Sequence, residues 1–237
     1  MWLLGVAWLF HLCLHIFFEV PCLISRNRFR TILKFLRFDN RATRQERQAD
    51  DKRAPFRDLW NLFQAELPKF YIHGPDPCVN EQLVAFQARC SFRQHIPYKP
   101  VKYGVKIWWC CDSQTCYPFK GDIYLRRQPG QQREVWQGAC VVKQLVEPWR
   151  RSGRNVTVDK FFTSIPPAED LLKDGLTYVG SIRSNKPHIL DEMKANSTRQ
   201  VNSSLFGFND QVTLISYVPK EKQVVLALST MQPNTWG

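Results

Sequence analysis

The chain has 237 residues, of which 44% are hydrophobic and 13% aromatic, and this composition excludes a chain that is disordered throughout. Lysine and arginine outnumber aspartate and glutamate by 33 to 21, which gives a formal net charge of +12. Such a charge favours polyanionic partners, with nucleic acid ahead of anionic membranes. The chain is therefore expected to be one large basic domain, or one domain with an arm.

The first segment, residues 1–24, is strongly hydrophobic. Residues 1–20 carry no charge before Glu19, and their length approaches what a membrane-spanning helix needs. The segment lacks the basic start and the small-residue cleavage site of a signal peptide, and Pro21 would end a helix. Two interpretations stay open, a buried helix that leads into the next segment and a membrane span.

Residues 25–75 are predicted to form a basic helical region. Ser25 is the expected N-cap of a first helix, in which apolar residues form a stripe among basic ones. A second short amphipathic helix is expected over 57–71. Runs of charge are usually solvated faces, but a face that is so rich in arginine is suited to phosphate contacts. The candidate DNA contacts here are Arg26, Arg28, Arg30, Lys34 and Arg37.

Residues 76–183 read as an α/β core with a mixed sheet. Their order β-β-β-α-β-α-β is that of the ribonuclease H-like fold. In such a sheet, carboxylates at the ends of the first and fourth strands hold two divalent metal ions. Asp159 ends the fourth strand and is therefore the candidate metal ligand. The predicted strands cover 79–86, 106–113, 116–125, 155–162 and 177–183, and the predicted helices cover 135–151 and 165–175.

Three further features complete the pattern. Residues 184–237 contain two strand-like runs and are predicted to be a partial, mainly β insertion. The eight cysteines form no CxxC pair, so we expect free thiols in a reducing compartment and no zinc site. The stretch 87–106 contains no acidic residue and offers a second basic patch. Its candidate DNA contacts are Arg89, Arg93, Lys99, Lys102 and Lys106.

Five stretches of the chain resemble the piggyBac transposases and their domesticated derivatives. They are "SRNRFRTILKFLRFDN", "NEQLVAFQARCSFRQHIPYKPVKYGVKIWWCCDSQTCY", "GRNVTVDKFFTSIPPAEDLL", "YVGSIRSNK" and "LISYVPKEKQVVLALST". They occur in the family's order and cover about residues 22–230. The resemblance implies a nuclear protein that cuts and joins double-stranded DNA at TTAA sites, with three aspartates and divalent metal on a ribonuclease H-like core. Whether the protein forms a homodimer stays open.

The resemblance also implies a degenerate catalytic site. The family's second aspartate matches Asp159, but the place of the first holds Asn80. The third belongs to a Gly-Gly-Val-Asp segment, and the sequence ends at Gly237 before it. Asparagine carries no charge, so two Mg²⁺ ions would be poorly held. Glu81 faces the other side of the strand and is a poor substitute.

These observations predict a DNA-binding protein that lacks cut-and-paste activity and binds no cofactor, with Mg²⁺ required if activity remains. One alternative is an active transposase or nuclease, if a longer product supplies the third aspartate. Another is a remnant that binds only proteins. A membrane location through residues 1–20 is the alternative to the nucleus. Loss of the helix that carries the third aspartate would leave one sheet face near Asp159 uncovered, so we also expect marginal stability.

Overall fold

The computed structural model describes residues 25–231, apart from 88, 127–136, 197 and 210. The hydrophobic segment 1–24, and with it the predicted membrane span, lies outside the described residues. Within the described ranges, no helix combines the length and the hydropathy that a bilayer crossing requires.

The described chain contains five α-helices and nine strands. The helices are α1 (Arg26–Phe35), α2 (Arg44–Asp50), α3 (Arg57–Glu66), α4 (Gln137–Val146) and α5 (Ile165–Lys173). The strands are β1 (Pro77–Ala85), β2 (Gln94–His95), β3 (Tyr103–Asp112), β4 (Pro118–Ile123), β5 (Asn155–Val158), β6 (Thr177–Ser181), β7 (Ser204–Asn209), β8 (Val212–Lys220) and β9 (Gln223–Ser229). Single 3₁₀ turns cover Leu67–Lys69, Glu147–Trp149 and Asp191–Met193.

Local sequence explains where several helices begin and end. The Ser25 hydroxyl accepts a hydrogen bond from the Arg28 amide at 3.3 Å, so Ser25 is the N-cap of α1 as predicted. Helix α4 gives way to a 3₁₀ turn after Val146, because Pro148 has no amide hydrogen to continue the α-helical pattern. Gly175 follows α5 with φ of +70°, a conformation that glycine adopts without steric cost.

All nine described strands belong to one mixed sheet, in the order β2-β3-β1-β5-β6-β9-β8-β7, with β4 also paired to β3. Strand β1 runs antiparallel to β3 and parallel to β5, and β5 runs parallel to β6. The longer strands and helices from β1 to β6 follow the predicted β-β-β-α-β-α-β order. Within this core, β1 lies between β3 and β5, and β5 lies between β1 and β6.

Two hydrophobic cores lie on opposite faces of the sheet. The larger one joins β1, β5 and β6 to α4 and α5, and it contains Val79, Val158 and Leu171. The smaller one joins α3 to β3 and β4. There the Trp60 ring lies 5.5 Å from the ring of Trp109, centroid to centroid.

The last three strands extend the same sheet. Strand β9 pairs antiparallel with β6, and β8 and β7 follow it. Alternate residues of β8 and β9 are buried on the inner face, but Phe206 is 57% exposed, Phe208 73% and Val225 50% on the outer face. The uncovered sheet face expected near Asp159, the predicted boundaries of the domains and the marginal stability stay predictions.

The structure differs from the predicted elements in four places. Strand β5 ends at Val158 and not at 162, because the Asp159 carbonyl accepts hydrogen bonds from the Phe162 amide and the Thr163 hydroxyl and closes a turn. Strand β2 has only two residues, too few for a periodic pattern. Helix α2 and strand β7 were also not predicted.

Candidate functional site

Asn80 and Asp159 lie side by side on neighbouring parallel strands. Val79 pairs with Val158 in the register, and the Asp159 amide donates to the Val79 carbonyl at 3.2 Å. Both valines are buried in the larger core. The next residue on each strand therefore faces away from that core, where Asn80 is half-buried and Asp159 is exposed.

The turn after Asp159 is held close to β6. The Asp159 carbonyl accepts from the Phe162 amide at 2.9 Å and from the Thr163 hydroxyl at 3.1 Å. A Cβ atom at Gly180 on β6 would lie 2.5 Å from the Thr163 hydroxyl oxygen and 2.6 Å from a methyl carbon of Val158. Glycine at this position thus permits the close approach that fixes the backbone beside Asp159.

The pair supplies few ligands for a metal ion. The Asn80 side-chain oxygen already accepts the amide hydrogen of Glu81 at 2.7 Å. Among the residues that the structure describes, no three histidine, cysteine, aspartate or glutamate side chains form a group that could hold a metal ion. Mg²⁺ prefers octahedral oxygen coordination, and a two-metal centre needs several carboxylates. The Asp159 carboxylate and the Asn80 amide, whose oxygen already accepts a hydrogen bond, therefore fit such a centre poorly.

Glu81 faces the side of β1 opposite to Asn80, as expected, and forms ion pairs with two lysines. Its carboxylate lies 2.7 Å from the Lys106 ammonium and 3.4 Å from that of Lys99. The Lys106 ammonium also lies 4.9 Å from the centroid of the Phe161 ring. Burial acts to raise the pKa of Glu81, but hydrogen bonding to Lys106 and the two lysine charges outweigh burial and lower that pKa.

The predicted contacts on the first helix are exposed. Arg26, Arg30 and Lys34 recur every four residues and so form one stripe along α1, with Arg28 exposed elsewhere on the helix. None of these four has an ion pair with a carboxylate in the described ranges. Arg37 follows the helix, and its guanidinium donates to the carbonyls of Lys34 and Leu36 at 3.1 and 2.7 Å.

The second predicted patch is divided by the fold. Arg89 and Lys102 are exposed, whereas Lys99 and Lys106 have Glu81 as a partner. The Arg93 guanidinium donates to the Gln87 carbonyl at 2.8 Å and lies 5.3 Å from the centroid of the Tyr103 ring. Arg93 and Lys102 line an open depression with a volume of about 510 Å³.

Asp112 has a structural role. It ends β3, is 4% exposed, and accepts hydrogen bonds from the amides of Gly74, Gln114 and Thr115 and from the Thr115 hydroxyl. Burial acts to raise the pKa of its carboxyl, but these hydrogen bonds outweigh burial and lower that pKa. Asp112 therefore fixes the turn that leads into β4.

Three thiols lie near the Asn80–Asp159 pair. Cys78 and Cys111 are direct partners across β1 and β3, and Cys116 follows in the turn before β4. Burial raises the pKa of Cys111 to about 12, with smaller contributions from Cys78, Cys116 and Asp112. The sequence predicts free thiols but not this alignment, because it depends on a strand register that one sequence does not reveal.

Comparisons with known proteins identify the family to which this fold belongs. The family model described as Transposase IS4 matches residues 15–235. A piggyBac transposase, solved as a synaptic complex with hairpin DNA, is 41% identical and superposes with a TM-score of 0.82. The match covers 89% of this chain and 44% of that one, so the chain spans less than half of that relative's length.

Two endonuclease V structures also match, one from Ciona intestinalis in a DNA complex and one the human catalytic domain. Each is 10% identical with a TM-score of 0.29, values too low to bear on fold or function. They cover 72% of this chain and 80% and 79% of their own chains. The family match and the piggyBac superposition confirm the predicted ribonuclease H-like core, and they show that the chain belongs to the piggyBac transposase family.

Proposed function

We propose that this chain binds double-stranded DNA mainly through α1 and does not itself cut or join DNA. The observation that carries the proposal is the exposed stripe of Arg26, Arg30 and Lys34, none of which forms an ion pair with a carboxylate among the described residues. Helix α1 contains no acidic residue, so nothing within the helix offsets this charge. The DNA-bound state of the piggyBac relative supports the same class of partner.

The chemistry of the stripe suits a phosphate backbone. Arginine offers a planar fork of donors that matches phosphate oxygens, and lysine adds a flexible point charge. Residues four apart on a helix are neighbours, so the three cations can approach successive phosphates of one strand. Arg89 and Lys102 are the stronger candidates within the second patch, since Lys99 and Lys106 are held by Glu81.

The proposed lack of cleavage depends on Asn80. The neutral amide of Asn80 leaves Asp159 as the one carboxylate of the pair. A single carboxylate does not neutralise the charge of divalent cations, so the site binds them weakly. Binding at TTAA sites, homodimerisation and a nuclear location are further parts of the proposal. They are supported by membership of the family and not by a feature of the described residues.

Salt-dependent binding tests the DNA contacts. Anisotropy of a labelled duplex is measured at several salt concentrations with the wild-type chain and with the triple variant Arg26→Ala, Arg30→Ala, Lys34→Ala. The slope of log K against log salt concentration is negative, and each lost phosphate contact makes it shallower by about 0.9. The slope of the triple variant is therefore expected to be shallower than that of the wild type by about 3. A TTAA duplex and a scrambled duplex of equal length separate site preference from general affinity.

A charge-matched control removes three cations from another surface. Lys143, Arg150 and Lys173 are exposed near α4 and α5 and pair with the carboxylates of Asp170 and Asp174. Their triple alanine variant should keep most of the wild-type slope. Equal losses in both triple variants, or no binding to any duplex at low salt, would contradict the proposal.

Nicking of TTAA-flanked DNA with Mg²⁺ or Mn²⁺ tests the second half of the proposal. The wild-type chain is expected to leave the duplex intact. Nicking that disappears in an Asp159→Ala variant would show that the site is active and that the proposed loss of cleavage is wrong.

A further inference from the structure

Cys78 and Cys111 occupy directly opposite positions in the antiparallel pair of β1 and β3. Opposite residues in such a pair have Cα atoms about 4.5 to 5.5 Å apart and side chains on the same face. A disulfide requires a Cα separation of roughly 4.4 to 6.8 Å. The backbone register therefore already satisfies the main distance requirement for a bond between the two sulfurs.

The surroundings single out this pair among the described cysteines, all of which are free thiols. Cys110 belongs to the larger core on the opposite face of β3 and is fully buried. Cys78 and Cys111 are each partly buried, and because burial raises the pKa of both thiols, their exchange with a disulfide is expected to be slow. Cys140 lies on α4 and Cys90 lies in the segment between β1 and β2, so neither has a cysteine opposite it across paired strands.

Cys116 adds a third thiol beside the pair. It lies in the turn between β3 and β4, and its negative charge, when deprotonated, acts to raise the pKa of both Cys78 and Cys111. Its φ of +61° is a left-handed conformation, which non-glycine residues adopt rarely. The turn amide of Cys116 donates to the Asp112 carbonyl at 2.9 Å, and this bond holds the turn beside the two strands.

We propose that Cys78 and Cys111 form a reversible cross-strand disulfide when the chain meets a disulfide oxidant such as oxidised glutathione. One protein thiolate attacks a glutathione sulfur, forms a mixed disulfide and releases one reduced glutathione. The other protein thiolate then attacks the protein sulfur of that mixed disulfide and releases the second. Two electrons pass from the protein to glutathione disulfide, and the two thiol protons end on the two glutathione thiols.

The bond would tie β1 to β3 two residues before Asn80. The proposal does not depend on DNA binding or on cleavage, so it can fail or succeed separately from the proposed function. It assigns a chemical modification to residues that stand next to the Asn80–Asp159 pair.

Peptide mapping of the oxidised chain tests the proposal. The purified protein is incubated with oxidised glutathione, blocked with an alkylating agent and digested with trypsin without reduction. Trypsin places Cys78 in peptide 70–89, and it places Cys110, Cys111 and Cys116 together in peptide 107–120. The expected product is a covalent pair of these two peptides from monomeric protein, which dithiothreitol separates.

Serine variants identify the sulfurs. The linked pair should be absent from Cys78→Ser and Cys111→Ser and retained in Cys116→Ser and in the exposed control Cys140→Ser. Circular dichroism confirms that each variant is folded. The proposal is overturned if peptide 70–89 is recovered only as an alkylated or glutathionylated peptide, if the link persists in Cys111→Ser, or if it joins two chains.

Discussion

Asp159 and Asn80 are adjacent across two parallel strands, since the Asp159 amide donates to the Val79 carbonyl at 3.2 Å. One member of the pair carries a negative charge and the other carries none. The backbone that would hold two carboxylates together is therefore in place, and a single substitution is enough to supply the second charge.

The substitution Asn80→Asp should strengthen binding of Mn²⁺ or Mg²⁺. Two neighbouring carboxylates neutralise a divalent cation better than one does. Aspartate at position 80 supplies a second charged oxygen ligand in place of a neutral amide. We expect a rise in affinity of about tenfold, or about 1.4 kcal/mol, in isothermal titration calorimetry. The double variant Asn80→Asp, Asp159→Asn keeps a single carboxylate and should bind as weakly as the wild-type chain. Equal affinities for the single and double variants would refute the prediction.

The Asp112 carboxyl should make stability depend on acid pH. Its folded pKa is below the unfolded value of 3.8, so its contribution is complete above that value and is lost as the pH falls through the folded pKa. Asp112→Asn should lower the free energy of unfolding by about 2 kcal/mol at neutral pH. The difference between variant and wild type in urea unfolding should shrink on acidification. Glu221→Gln removes an exposed carboxylate and should change little at either pH.

Lys106 should matter for stability and not for DNA. Its ammonium lies 2.7 Å from Glu81 and is surrounded by the rings of Phe161, Trp108 and Tyr124 at 4.9 to 5.4 Å. Lys106→Ala leaves Glu81 with one cation and should cost about 2 kcal/mol in urea unfolding.

The exposed Lys102 is the matched control for Lys106. Lys102→Ala should leave the free energy of unfolding within about 0.5 kcal/mol of wild type. The salt slope of DNA binding should be unchanged by Lys106→Ala. A lower slope with unchanged stability would instead identify Lys106 as a phosphate contact.

Helix α3 should be held to the sheet by Trp60. Its ring contacts Trp109, whose indole nitrogen donates to the Gln82 side chain at 2.8 Å. Trp60→Ala should lower the free energy of unfolding by about 3 kcal/mol, measured by urea unfolding. Leu62 on the same helix is 65% exposed, and Leu62→Ala should cost much less. Similar costs for both variants would mean that α3 is not anchored through Trp60.

Much of the core could be predicted because its local patterns agree with its tertiary environment. Val156 and Val158 alternate with polar residues and are buried in β5, and the same alternation placed Asp159 at the end of that strand. Strand β7 was missed since Gly207 interrupts its pattern. A Cβ atom there would lie 2.7 Å from the terminal methyl carbon of Met193, so packing and pairing with β8 override the turn signal.

The environment of the basic residues could not be predicted in the same way. The absence of acidic residues over 87–106 suggested a free basic patch, but Glu81 belongs to the neighbouring strand. Its proximity to Lys106 depends on the register that pairs Leu83 with Lys106. The same register aligns Cys78 with Cys111. Pairings between distant segments are set by the whole sheet, and no short stretch encodes them.

The junction between β6 and β9 has a consequence for synthesis of the protein. Ser181 and Ala227 are paired neighbours in the sheet but are far apart in the chain. While the ribosome makes the residues between them, β6 is an unpaired edge strand with free backbone donors and acceptors. Closing so long a loop is slow, because its entropy is lost before the strand pairing compensates. The emerging chain is therefore most prone to aggregation during the interval between these two strands.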